Sequence, residues 1–117
     1  MPVDPVTPVL LLKALDGLWL RSMVTAQNIA NANSPGYRPF AVSFEDALEH
    51  AAQSRDVAAI RAVQPRVGRT IGQDGNAELR LDLELATGAQ TATRYAALAE
   101  LLSRRLQIEA LATSGTR

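Results

Sequence analysis

Apolar residues recur at alternating intervals of four and three positions along the first third of the chain. Thr7 is a good N-cap, and Pro8 suits the first helical position, where its missing N–H costs no hydrogen bond. The spacing is that of a heptad seam and predicts a long helix over residues 8–33. The seam positions are Leu11, Leu15, Leu18, Ser22, Thr25, Ile29 and Ala32.

A polar segment, NIANANSPGYRPF at residues 28–40, ends this pattern. Asn31 competes for backbone hydrogen bonds and tolerates the left-handed conformation common just past a helix end. Pro35 and Gly36 fit the central positions of a type II turn, with Gly36 at positive φ. We expect Tyr37 and Phe40 to fold back onto apolar surface after that turn.

The middle of the chain has weaker periodicity. Val42 and Phe44 alternate with polar neighbours as in a short extended segment, and residues 43–53 predict a short helix with Ser43 as its N-cap. Residues 54–78 contain glycines, a proline and no sustained period, so we interpret them as a mobile loop, with or without a loose hairpin around residues 67–80.

A second heptad seam predicts a C-terminal helix over residues 79–113. Its positions are Leu81, Leu85, Gly88, Ala92, Tyr95, Ala99, Leu102 and Leu106. We expect Leu102 and Leu106 to pack against Leu11, Leu15 and Leu18. The predicted fold is therefore all-α: one domain, residues 1–117, in which two long terminal helices form a coiled-coil hairpin around a short helix and an irregular, partly extended middle.

Each predicted helix carries apolar residues beside its seam. Trp19 and Met23 do so on the first helix, and Leu98 and Leu101 do so on the second. Two interpretations are open: these residues cover the middle segment, or they contact neighbouring subunits. Head-to-tail contacts of the second kind would build a filament or tube.

Composition supports the helical prediction. Aromatic residues make up 4% of the chain, while leucine and alanine, both strong helix formers, dominate its apolar fraction. Twelve basic and twelve acidic side chains give zero net charge, so no overall field would attract nucleic acid or an anionic membrane. The absence of cysteine excludes disulfides, thiolate metal sites and a cysteine nucleophile.

No constellation of residues predicts catalysis. His50 is the single histidine, and no second histidine or cysteine offers metal-ligand spacing. Asp82 and Glu84 are two apart on a helix and point to different sides. Arg61, Arg66 and Arg69 lack interleaved aromatics and predict a solvated loop. We expect no enzyme, no cofactor, no metal, no nucleic-acid partner and no small-molecule substrate.

The polar segment resembles a motif of the bacterial flagellar axial proteins, the rod, hook and hook-associated family. The matching residues are Asn28, Ile29, Ala30, Asn31, Pro35, Gly36 and Tyr37. The stretches FEDAL at 44–48, LRLDLELA at 79–86, RYAAL at 94–98 and LLSRRL at 101–106 resemble the proximal rod type, FlgB, within that family. Departures from its pattern are Ser34 for Thr, Arg80 for an acid, and Gly88 and Thr93 at commonly apolar positions.

The resemblance implies a structural subunit of the flagellar basal-body rod. Such a subunit has no cleaved signal peptide, is a type III export substrate, and polymerises through its terminal helices in the periplasm. Its expected partners are other rod proteins, copies of itself, and the basal-body base and export gate. The residues that we expect to serve assembly and coiled-coil packing are Leu11, Leu15, Leu18, Ile29, Tyr95, Leu98, Leu101, Leu102 and Leu106. The alternative is a small helical cytoplasmic adaptor or export chaperone that binds partner helices.

Overall fold

A computed structural model describes residues 4–70 and 79–115. The described chain is mostly helical, with a long helix near each end and one small antiparallel sheet. In order, its elements are α1 (Val6–Ala30), β1 (Phe40–Ser43), α2 (Glu45–Ser54), α3 (Val57–Arg61), β2 (Arg66–Arg69) and α4 (Leu81–Ser114). Residues 71–78 of the predicted hairpin around residues 67–80 lie outside the described residues.

Helix α1 begins two residues before the predicted start, with Pro5 at its N-cap position and Asp4, one residue earlier, as the acceptor for its first turn. The Asp4 carboxylate accepts from the Val6 N–H at 2.9 Å and from the Thr7 hydroxyl at 2.6 Å. Pro8 still lies in the first turn, where its missing N–H has no helical partner to lose. The expectation that Thr7 is the N-cap was therefore wrong.

Helices α1 and α4 lie antiparallel. Asn28, near the end of α1, donates to Glu84 in the first turn of α4, and Asp4, before the start of α1, pairs with Arg105. Helix α4 continues to Ser114, so its last nine residues run past the level at which α1 begins. This end of α4 therefore lacks the cover that α1 gives to the earlier turns.

The segment predicted as a loop contains a helix and a strand. Strand β2 pairs antiparallel with β1 in a register that places Phe40 opposite Arg69 and Val42 opposite Val67. The arginine side chain at 69 also lies over the Phe40 ring, 4.6 Å from its centroid. The prediction of an irregular stretch failed because β2 has no apolar period of its own: all four of its residues are exposed, and its order comes from pairing with β1.

The core lies between α1 and the middle of the chain. Ile60 of α3 is fully buried, and Val42, Phe44 and Leu48 pack in the same cluster. The Lys13 ammonium of α1 donates to the Val63 carbonyl at 3.0 Å and so holds the end of α3 against α1. The middle segment is thus a packed layer on one side of the helix pair.

Gly17 allows that layer to approach α1. A Cβ built at Gly17 would lie 2.5 Å from a ring carbon of Phe44, a distance that real Cβ contacts essentially never show. Phe44, predicted as an extended residue, is in fact the N-cap position of α2 in place of Ser43, and its ring is buried. The absent side chain at Gly17 therefore makes room for this aromatic ring.

The C-terminal seam predicted from spacing is an internal packing face only in part. The seam residues Tyr95 and Leu106 are exposed, so the expected packing of Leu106 against α1 was wrong. Of the outer stripe, Leu101 is exposed as expected, whereas Leu98 packs against the core cluster. The face of α4 turned toward α1 carries Gly88, Thr91, Leu98 and Leu102. Gly88 and Leu102 belong to the predicted seam, and Leu98 lies about one residue's rotation beside it. The inner face of α4 therefore combines part of the seam with one residue of the outer stripe.

The two helix glycines should respond oppositely to an added methyl group. We expect Gly17→Ala to lower the free energy of unfolding by roughly 1–3 kcal/mol, because the new Cβ overlaps the Phe44 ring. Gly88→Ala should raise it by up to ~1 kcal/mol through helix propensity, since its Cβ would lie at an ordinary 3.6 Å from Thr25 Cγ2. Urea unfolding followed by circular dichroism measures both. Equal effects of the two substitutions would contradict this packing.

Candidate functional site: the Asn28 network and the exposed apolar rows

The Asn28 side chain joins four parts of the chain. Its Nδ2 donates to the Phe40 carbonyl at 2.8 Å and to Glu84 Oε2 at 3.1 Å. Its Oδ1 accepts from the Tyr37 hydroxyl at 3.0 Å and from the Phe40 N–H at 3.1 Å. Asn28 is 1% exposed, so this buried amide uses both of its donors and both of its acceptor sites.

The turn after α1 is built by local chemistry, as predicted. Gly36 has φ 73°, and the Tyr37 N–H donates to the Ser34 carbonyl at 3.2 Å across Pro35 and Gly36. These features fit a type II turn. Asn31 follows the last residue of α1 at φ −101°, so the left-handed conformation considered for it is not adopted. The turn brings Tyr37 and Phe40 back to Asn28.

Arg21 fixes the next part of the returning chain. Its guanidinium donates twice to the Glu45 carboxylate, at 2.6 and 2.7 Å, and once to the Val42 carbonyl at 2.7 Å. It also lies 4.9 Å from the centroid of the Phe44 ring. The hydrogen bonds from Arg21 hold the pKa of the Glu45 carboxyl below its ordinary value. Arg21 thus ties α1 to both β1 and α2.

Asp4 makes the corresponding link at the other end of α1. Its carboxylate lies 3.6 Å from the Arg105 guanidinium and 3.8 Å from that of Arg55, the residue that ends α2 at φ 55°. The Thr7 hydroxyl and the Val6 N–H that it accepts hold its pKa below the ordinary value. One carboxylate therefore caps α1 and attracts cations from α2 and α4.

A row of apolar side chains on α1 stays exposed. It comprises Leu12, Trp19 and Met23, with Trp19 56% exposed. At 3.6 residues per turn the row lies about half a turn from Gly17, which faces Phe44. It therefore points away from the sheet and α2, and the described part of the middle segment does not cover it.

A matching row runs along α4. It comprises Leu81, Leu85, Tyr95 and Leu106, all exposed. On one side of the α1-facing residues of α4, Arg94 and Ala97 border the space beside α2. The exposed row lies on the opposite side of those α1-facing residues. The two rows therefore share the side of the helix pair opposite the sheet, and we call them together the back face.

An apolar groove opens on the sheet side of the helix pair. It has a volume of about 520 Å³ and lies between α2 and the α1/α4 pair. Its walls are almost entirely aliphatic or aromatic, with Glu45, Glu49 and Arg94 at the edges. The apolar lining residues are Leu10, Ala14, Leu18, Phe44, Leu48, Ala52, Ala97 and Leu98.

The residues that resemble the axial motif have distinct positions at the end of α1. Asn28 is buried, Ile29, Asn31 and Tyr37 are half-buried, and Ala30, Pro35 and Gly36 are exposed. Asn31 Nδ2 donates back to the Gln27 carbonyl at 2.9 Å. Six of the nine expected assembly residues are buried or half-buried within the subunit, and Tyr95, Leu101 and Leu106 are exposed. The six are Leu11, Leu15, Leu18, Ile29, Leu98 and Leu102. The motif thus builds one helix terminus and its turn.

Several contacts were missed by sequence reasoning. Arg21 and Glu45 carried no signal, because their pairing joins residues 24 apart. Glu84 was considered only with Asp82; the two do point apart, Glu84 to Asn28 and Asp82 to Arg80. The hydrogen bond that the Tyr37 hydroxyl donates to Asn28 could have been sought from the sequence, since both residues lie in the same motif.

Neither metal-binding groups nor membrane spans were found in the described chain. Among residues 4–70 and 79–115, no cluster of three or more histidine, cysteine or acidic side chains could hold a metal ion. His50 is exposed on α2. Within the same described ranges, no helix combines the length and apolarity needed to span a bilayer.

A scan against protein-family models and a search of curated proteins both found no match for this chain. The functional interpretation therefore depends on the motif resemblance and on the contacts of the chain's own residues. Of these, the Asn28 network and the two exposed surfaces are the features that need a functional explanation.

Removal of the Asn28 amide should destabilise the whole fold. Asn28→Ala leaves the Phe40 backbone groups and the Tyr37 hydroxyl without their buried partner, so we expect a loss of roughly 2–3 kcal/mol in unfolding free energy. Asn31→Ala is the matched control and should cost less than ~1 kcal/mol, because it removes contacts within one exposed turn. Chemical denaturation of the two variants tests this. Equal losses would show that the network is not the stabilising feature.

Substitution at Gly36 should act through backbone strain alone. No atom lies within 4 Å of a Cβ built there, so the cost of Gly36→Val comes from the positive φ and should exceed ~1 kcal/mol. Gly36→Asn should cost less, since asparagine tolerates the left-handed region. Thermal unfolding of both variants measures the difference. A valine variant as stable as the asparagine variant would contradict the turn assignment.

Proposed function

We propose that this chain is a structural subunit of the bacterial flagellar basal-body rod. It would be exported without a cleaved signal, polymerise through its terminal helices, and link the export gate and membrane base to the distal rod. One arrangement carries the proposal: the Asn28-to-Tyr37 motif ends α1 in a fixed turn, while both long helices keep apolar rows exposed on the back face.

The spacing of the back-face row on α4 supports assembly between helices. Its members occupy positions of a four-three heptad seam in which Gly88 and Leu102 face the subunit's own α1. The exposed members of that seam are open to contact by another helix. A heptad row of this kind matches a helical partner better than it matches a flat surface or a small ligand. In the assembled rod, α1 and α4 would form the coiled-coil hairpin, and their back faces would pack on helices of adjacent subunits.

The limited burial of α4 within its own subunit also supports assembly between helices. Helix α4 has 34 residues, and Thr91 is its one buried residue among those described. Long helices in water derive most of their stability from packing of an apolar face. A helix with so little cover inside its own subunit gains stability when neighbouring subunits cover it, as a polymerising protein requires.

Localisation separates this function from the adaptor alternative. In a flagellated host that depends on this chain for motility, a tagged copy should appear in purified basal bodies, at the rod, by immunogold labelling or cryo-electron microscopy. Its gene deletion should leave basal bodies without a complete rod. Recovery of the tagged chain in the cytoplasm alone, bound to other helical proteins, would instead support an adaptor or export chaperone.

Two adjacent residues separate folding from assembly. Leu18 is 4% exposed and Trp19 is 56% exposed, so a charge at each position has a different consequence. Leu18→Asp should unfold the subunit, since burying an unpaired charge costs several kcal/mol. Trp19→Asp should change stability by less than ~1 kcal/mol, because that site is on the surface.

In cells, the Trp19→Asp subunit should be exported but left out of the rod, and the cells should be non-motile. Circular dichroism of the purified variant and an assay of secreted protein provide the measurements. Full motility with Trp19→Asp would mean that the back face of α1 does not contact a neighbour.

A further inference from the structure

We propose that the groove between α2 and the α1/α4 pair receives the C-terminal end of α4 from a second copy of this chain. This inference rests on the proposed function and names one contact through which copies would join. The segment concerned, here called the α4 tail, is residues 106–114.

The shape of the groove suits a helix. Helices form its walls on both sides, with α2 opposite the α1/α4 pair. Three of the lining residues are alanines, one each from α1, α2 and α4: Ala14, Ala52 and Ala97. Alanine has the smallest apolar side chain that a helix can carry without the loss of helix stability that glycine causes. Small residues at such positions let a further helix approach to the 8–10 Å interaxial distance of packed helices. The groove can therefore accommodate one further helix beside α1, α2 and α4.

The α4 tail carries the complementary side chains. Ile108 and Leu111 are 64% and 72% exposed, the highest values among the described large apolar residues. They lie three residues apart and share a face with Leu101, seven residues before Ile108. Spacings of three and seven residues place anchors on one side of a helix, as in amphipathic helices that bind apolar grooves.

The tail cannot occupy the groove of its own subunit. Leu98 marks the groove on α4, and Leu111 follows it by 13 residues on one uninterrupted helix. At 1.5 Å per residue, Leu111 lies ~20 Å beyond the groove along the axis. The occupant must therefore come from another molecule. Because groove and tail are different surfaces, their contact is heterologous and can continue from copy to copy.

Cysteine pairs provide a direct test, since the natural chain contains no cysteine. Two full-length single-cysteine variants are mixed: Ala52→Cys, in the groove, and Leu111→Cys, in the tail, each with a tag of different size. Mild oxidation and a non-reducing gel then measure the mixed disulfide. The matched control replaces Ala52→Cys with Ala47→Cys, which is exposed on the same helix α2 and does not line the groove. Circular dichroism confirms that each variant keeps its helix content.

We expect at least tenfold more mixed disulfide with Ala52→Cys than with Ala47→Cys. Adding Ile108→Asp to the Leu111→Cys chain should reduce that yield to the control level. Equal yields from the two cysteine positions would overturn the inference, whether the groove then holds a small apolar molecule, a helix of another protein or solvent. A yield that is unchanged by Ile108→Asp would overturn it as well.

The outcome is independent of the localisation experiment. If the chain is found in the basal body and the groove pair does not cross-link, the rod function stands and this contact is wrong. If the pair cross-links and the chain is absent from basal bodies, the contact stands as a self-association site and the rod function is wrong.

Discussion

The side-chain amide of Asn28 connects α1 by hydrogen bonds to the turn, to β1 and to α4. Of the described elements, α2, α3 and β2 lie outside this network. Its four bonds reach the turn at Tyr37, both backbone groups of Phe40, and Glu84 of α4. A buried amide is tolerated only when its donors and acceptors are satisfied, because each orphaned group costs about 1–3 kcal/mol. The chain can therefore leave α1 in one direction only, and β1 begins where Phe40 meets this amide.

The remaining elements depend on that starting point. Once β1 lies against α1, Arg21 can reach the Val42 carbonyl and Glu45, and the Phe44 ring can enter the space left by Gly17. Strand β2 then pairs with the edge of β1 that faces away from α1. The result is a layer of small elements on one side of the helix pair and no comparable cover, among the described residues, on the other.

This one-sided packing gives the two long helices unequal surroundings. Helix α1 contacts the sheet, α3 and α4, and its inward residues are well buried. Helix α4 is held mainly along α1, by Thr91, Leu98 and Leu102 and by end contacts such as that of Arg105 with Asp4. Exposed apolar rows on both helices, an open groove and an uncovered α4 tail remain within the single subunit. The rod proposal would account for all of them, because neighbouring subunits would then complete the packing.

Local chemistry in the sequence determined the helices and the turn. Leucine and alanine at three- and four-residue intervals specify α1 and α4 to within three residues at each end, and Pro35-Gly36 specifies a turn because only glycine enters positive φ without strain. The tertiary structure decided which row of α4 faces inward. Leu85, Tyr95 and Leu102 share one heptad, yet of these three only Leu102 is half-buried. Leu98, from beside that heptad, joins the core, and contact with Thr25 and the core around Leu48 makes this selection. It also decided that residues 66–69 form a strand, since a segment without an apolar period becomes ordered only when a partner strand offers its free hydrogen-bonding edge.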